Sequence, residues 1–166
     1  MKTFAVVAIC FLLMPAQEPD IKLEIGSVLK PEFIPRTTNE LCMTHPGQLR
    51  PFIRHETNKV NYVIAYDDET RKIKYIKTND EDFKTTEGLQ VGKYIDVTRD
   101  KVRAYPGWEV RGPANKEGWH PVIGFLDKVT ILREGKEEEL NIKQTWASNP
   151  TERLRVKVLS FSKGGQ

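Results

Sequence analysis

Catalysis needs a nucleophile, a base within its reach and donors aimed at the developing charge. Few side chains in this chain are placed to suggest such a set. Cys42 and His45 are the closest Cys/His pair. Catalytic pairs of that type come from distant sequence positions, so their nearness is not a signal. Ser27, Ser148, Ser160 and Ser162 all lie outside a Gly-x-Ser-x-Gly elbow. Metal centres need three or four convergent ligands, whereas His45, His55 and His120 are scattered and Cys42-x-x-His45 has no second pair. The acidic run Asn79-Asp80-Glu81-Asp82 lacks the spacing and glycine of a calcium loop. It reads as a solvated turn, as do Asp67-Asp68-Glu69 and Glu137-Glu138-Glu139. Glycine-rich phosphate loops are absent. The expectation is therefore no catalytic residue, no metal and no cofactor.

The most suggestive segment runs from Tyr105 to His120. Tyr105, Trp108, Arg111, Trp119 and His120 bracket a loop holding Gly112, Asn115, Lys116 and Gly118. Tryptophan and arginine dominate binding hot spots because they bury large area and keep a polar handle. These five residues are the candidate binding site, with a protein, a peptide or a cell-envelope component as the partner. The competing expectation is that both tryptophans anchor the core. The alternative function is a small periplasmic hydrolase using His120 as base with Asp82 or Glu109 brought near it. Arg153, Arg155 and Lys157 alternate along one strand, which is ordinary patterning of a wet sheet face, so no nucleic-acid partner is expected.

The chain that must position these residues has 166 of them, with 26 Lys plus Arg, 23 Asp plus Glu and a net charge of +3. Hydrophobic residues at 39% and charged residues at 30% describe a folded domain and exclude collagen, coiled-coil and disordered classes. Residues 1–16 carry one charge, Lys2, ahead of the apolar run Phe4 to Met14 and then Pro15-Ala16. A basic start, a short apolar stretch and a small residue near its end resemble a secretory signal peptide. Eleven apolar residues are too few for a bilayer, which needs about 20. The expectation is an exported protein, periplasmic or secreted and from a bacterial setting, with no transmembrane segment after cleavage. Only Cys42 then remains, so no internal disulfide can form, and burial suits a lone cysteine.

Residues 17–58 contain Pro19, Pro31, Pro35, Pro46 and Pro51. Proline disfavours helix at and before its position, so this span reads as a proline-rich N-terminal arm. Short strands are expected around Lys22–Leu29 and Arg50–His55, and a short helix over Thr37–Met43. Residues 59–166 read as a single β-rich domain. Lys59–Tyr66 and Lys72–Lys77 form a hairpin, with Ile73 and Tyr75 on one face and Ile76 on the other. Phe83 is the single aromatic anchor of the loop 79–88. Residues 93–102 fit either strand or helix. Trp108–Arg111, Trp119–Phe125, Lys128–Arg133, Glu139–Lys143 and Arg153–Phe161 read as further strands. The fold class is α+β, mainly antiparallel β-sheet with one or two short helices.

The pattern Thr78-x-Asp80-x-x-Phe83-x-Thr85-x-Glu87-Gly88-Leu89-x-Val91-Gly92, followed by Pro106-Gly107-Trp108, resembles small exported bacterial domains of uncharacterised function. The resemblance spans about residues 72–126. It extends distantly to the helix-on-sheet modules of β-lactamase-inhibitor-like domains and outer-membrane assembly lipoproteins, although no cysteine begins the mature chain. It implies that the segment after Gly92 packs as a helix against the sheet, and it transfers no catalytic residue.

Overall fold

A computed structural model describes residues 20–36 and 40–165, so the expected leader lies outside the described residues. In chain order the strands are β1 (Leu41–His45), β2 (Gln48–Thr57), β3 (Val60–Tyr66), β4 (Ile73–Thr78), β5 (Tyr94–Val97), β6 (Arg103–Ala104) and β7 (Glu109–Arg111). They continue as β8 (His120–Phe125), β9 (Lys128–Arg133), β10 (Lys136–Asn141), β11 (Leu154–Lys157) and β12 (Ser160–Gly164), with helix α1 (Ile142–Ser148) between β10 and β11. Among the described residues the result is a mainly antiparallel sheet with one α-helix and two 3-10 turns, Pro31–Phe33 and Arg99–Lys101. None of the helices among the described residues is long and apolar enough to cross a membrane.

Three tight turns set the registers. Asn58-Lys59, Leu126-Asp127 and Glu134-Gly135 join β2 to β3, β8 to β9 and β9 to β10, and every one of these six residues has positive φ. Two positive φ values in a two-residue loop match the right-handed twist of the strands that flank it. Along the main path the order is β1-β2-β3-β4-β12-β8-β9-β11-β5, with β10 on β9 and the short β6–β7 pair on β8.

The sheet separates three apolar clusters. One gathers Tyr62, Ile64, Ile76, Phe83, Trp119 and Phe161. A second gathers Val110, Ile123, Ile131, Val156 and the α1 residues Ile142 and Trp146. The third is small: Ala65, Tyr75 and Trp108, flanked by Cys42, Phe52 and Tyr105. Phe83 is the expected anchor of its loop, since its ring lies 4.8 Å from that of Trp119 and 5.1 Å from that of Phe161.

Several expectations are corrected. Leu41–Met43 is not the end of a helix but belongs to β1, which pairs with β2 across Pro46-Gly47; Thr37–Asn39 lie outside the described residues. Lys22–Leu29 makes a single bridge, Val28 to Lys72, rather than a strand, and is held by burial of Ile21 and Leu29. The span read as an arm supplies β2, which pairs with β3 through six rungs from Phe52↔Ala65 to Thr57↔Val60. Ile73 and Tyr75 do not share a face, because Lys74 is an extra residue between Ala65↔Tyr75 and Tyr66↔Ile73. That bulge returns Ile73 to the Ile76 side, so both faces of β4 are buried. The segment after Gly92 is β5 plus a 3-10 turn, not a helix, since Val97 faces Leu154 on β11. Arg153–Phe161 is two strands: Val158 turns away to bond Gly92 and Lys93, so β11 and β12 join different neighbours. Helix α1 replaces the end of the strand expected over Glu139–Lys143. Asn141 caps it by accepting from the Gln144 N–H, and Ile142 and Trp146, four apart, bury one face.

Candidate functional site

The five residues singled out by composition occupy two different sides of the sheet. Trp108 and Trp119 are each 5% exposed, and they sit in separate clusters. Trp119 stacks near Tyr62 and Phe83, with the Lys163 ammonium 4.6 Å from its ring centre. Trp108 packs at 5.5 Å from Tyr105 and 5.7 Å from Tyr75. The intervening loop is tied down by Asn115, whose side-chain oxygen accepts from the Trp119 and Glu117 N–H groups and whose amide donates to Glu87.

Arg111 has the most consequential placement. Alternation along β7 sends Val110 into the second cluster and turns Glu109 and Arg111 to the other face. There both side chains are essentially sealed, at 0% and 1% exposure. The Glu109 carboxylate accepts from Tyr75 Oη at 2.5 Å, Arg111 Nε at 2.7 Å, Ser162 Oγ at 3.1 Å and Lys77 Nζ at 3.3 Å. Arg111 also donates to the Gly164 carbonyl at 2.8 Å, and its carbon centre lies 4.6 Å from the Trp108 ring and 5.4 Å from that of Tyr105. Its remaining terminal nitrogen has no hydrogen-bond partner among the described residues. Burial first, and then the Glu109 charge, hold the Tyr75 phenol far above its usual range, so it stays a protonated donor. One buried carboxylate thus serves two cations. Arg111 is enclosed, and Lys77 reaches outward with 24% of its side chain exposed.

Lys77 opens onto a cleft of about 320 Å³ on the same face, lined by Arg54, Asn61, Tyr62, Val63, Lys77 and Asn79. Its floor follows from register: Arg54 pairs with Val63, and Val63 pairs with Lys77. Cross-strand partners share a face, so β2, β3 and β4 contribute one residue each to a single row. Lys77 Nζ lies 4.4 Å over the Phe125 ring, and the Arg54 guanidinium lies 5.4 Å over that of Phe52. Arg54 makes no ion pair among the described residues. Asp80, at the far end, accepts from the Asn61 and Asp82 N–H groups, which hold its carboxyl below the usual range.

His120 stands at a second, open cleft of about 380 Å³ with Ile25, Lys74, Gly164 and Gly165. Its Nδ1 lies 3.0 Å from the Gly112 carbonyl, and burial together with Arg111 and Arg103 holds its pKa below the usual value. The acids considered as its partners are placed otherwise. Glu109 is committed to four other donors, and Asp82 sits in the Asp80 turn. Cys42 lies against the third cluster, where burial pushes its thiol up to about 11, the reverse of an activated nucleophile.

Glu109 was reachable from sequence only as a possible acid, and Arg54 and Lys77 not at all. The signal that could have found Arg54 is the two-residue turn Asn58-Lys59, which sets its pairing with Val63. Comparison of the chain with protein-family models, curated proteins and solved structures found no match.

Proposed function

We propose that this chain is an exported binding domain whose ligand is a protein, a peptide or an envelope component, and that it takes this ligand at the β2–β4 cleft. One observation carries the reading: Arg54 and Lys77 flank Val63 in one cross-strand row at an open cleft, with amide groups of Asn61 and Asn79 beside them. Binding sites combine an apolar floor with a few convergent polar groups, which is the composition of this row. Export rests on the apolar segment Phe4–Met14 behind Lys2. The burial of Trp108 and Trp119 favours the cleft over the 112–118 loop as the contact surface.

The test is a titration of the ¹⁵N-labelled protein with acidic and neutral peptides and with vesicles of phosphatidylglycerol and phosphatidylethanolamine. Shift changes should map to residues 52–56, 61–65 and 75–79. Changes confined to residues 105–120, or none with any probe, would refute the placement.

A further inference from the structure

We infer that the β2–β4 cleft selects an oxyanion, a carboxylate or phosphate group carried on a small apolar body, with Arg54 as a free clamp and Lys77 as a pre-positioned one. The inference rests on the binding reading above and adds the chemical class of ligand.

Donors outnumber acceptors at this cleft. The Arg54 guanidinium brings a planar fork of N–H groups, and no carboxylate within the described residues engages it. Lys77 brings an ammonium whose place is fixed twice, by Glu109 at 3.3 Å and by the Phe125 ring at 4.4 Å. Glu109 cannot be diverted to a ligand, because it is fully buried and holds Tyr75, Arg111 and Ser162 as well. Since Arg111 already balances that carboxylate, the Lys77 charge is left to act on the cleft. The two cations sit two strand spacings apart, about 9.5 Å at their backbones, and because Lys77 is held by Glu109 and Phe125 the exposed Arg54 side chain is the one that must reach across to a shared anionic group. Apolar surface from Val63 lies between them.

Two other acids bear on the cleft. Asp80 is occupied by the Asn61 side chain and two backbone N–H groups. Glu56 is exposed, pairs with Asn61 and stands two residues from Arg54 on the same face. Among the described residues it is the negative charge beside the row that no hydrogen bond or ion pair engages, so it opposes anion binding.

The test uses the full chain with benzoate, phenyl phosphate and the neutral isostere benzamide, followed by ¹⁵N shifts of residues 52–56, 61–65 and 75–79. Both anions should bind and benzamide should not, and the tighter anion identifies carboxylate or phosphate as the natural group. Arg54→Gln, on an exposed side chain that leaves the core intact, should weaken both anions by about 10- to 100-fold, the value of a charge-assisted hydrogen bond. Glu56→Gln should tighten both. If benzamide binds at the same residues as well as benzoate, and Arg54→Gln changes nothing, the oxyanion inference falls while the cleft remains a binding site. If none of the three probes shifts these residues, the oxyanion inference falls, and the binding reading falls with it only when the peptides and vesicles also leave them unmoved.

Discussion

The ion pair of Glu109 with Arg111 should be the costliest polar contact in the protein to break from one side. The carboxylate and guanidinium are 0% and 1% exposed and 2.7 Å apart. Glu109→Gln keeps the shape, opens no cavity and removes only the charge. It leaves Arg111 buried without a counter-ion and sets an amide donor among groups that are themselves donors. Removing one partner of a buried pair costs about 3–5 kcal/mol. Arg111→Met leaves Glu109 with Tyr75, Lys77 and Ser162, so its cost should fall at the low end, about 3 kcal/mol. The double variant Glu109→Gln, Arg111→Met holds no uncompensated buried charge. It should lose no more than the worse single variant, a coupling of about 3 kcal/mol where independent sites would agree within about 0.5. Urea unfolding followed by tryptophan fluorescence measures all three, with unchanged slopes confirming that only the native state moved. The melting temperature should fall by about 6–12 °C in Arg111→Met and by up to about 20 °C in Glu109→Gln, at roughly 2–4 °C per kcal/mol for a chain of this size. Single variants within 1 kcal/mol of the parent, or an additive double variant, would refute this account of the cluster.

Three further outcomes are expected. Gly124→Ala should abolish or severely impair folding, because its Cβ would lie 2.0 Å from the Lys128 carbonyl oxygen. Gly135→Ala meets nothing within 4 Å and should cost only the strain of a positive φ, about 1 kcal/mol, as urea unfolding of both variants would show. Cys42, with its thiol pushed up to about 11, should react with iodoacetamide at pH 8 far more slowly in the native state than in urea. Equal rates would place it outside the buried cluster. His120 should titrate below 6.5 by NMR. Its folded pKa is the lower one, so the unfolded chain binds the proton more readily. Stability should therefore decline as pH falls through 6.5 toward the folded value, and His120→Gln should remove that part of the decline.

Strands were legible where alternation or a β-branched run was long enough to stand alone. Lys128–Arg133 and Lys59–Tyr66 alternate or carry β-branched runs, and they form β9 and β3 within a residue of expectation. The reading failed where pattern and partner diverge. Arg153–Phe161 reads as one strand only if the adjacent apolar pair Val158-Leu159 is passed over, and that break in alternation is where Val158 turns to Gly92 and Lys93 before Ser160 joins β8. Helix α1 is one short amphipathic turn pair, and Ile142 with Trp146 is too brief a period to stand out against the strand before it. Trp108 and Arg111 were visible as residue types that make contacts. That those contacts are internal depends on Glu109, a charge that a local reading assigns to solvent.

The cleft was hidden for a narrower reason, because its existence turns on one residue. From the turn at Asp67–Lys72, the pairing Tyr66↔Ile73 continued without interruption would set Lys77 opposite Tyr62, facing the first apolar cluster. A slip of one residue moves a whole strand's side chains to the opposite face. The bulge at Lys74 makes that slip, and Lys77 lands opposite Val63 in the row that begins with Arg54. The Lys74 backbone carbonyl is engaged from the far end of the chain. The Gly165 N–H donates to the Lys74 carbonyl at 2.9 Å, and a Cβ on Gly164 would sit 2.3 Å from that same oxygen. Gly164 also has φ +69, a conformation closed to most side chains, and its own carbonyl takes a hydrogen bond from Arg111. A glycine pair near the C-terminus therefore fits the bulged carbonyl and helps hold the buried guanidinium, and the bulge in turn aims the lysine. Local pattern could not anticipate a face chosen by residues some ninety positions away.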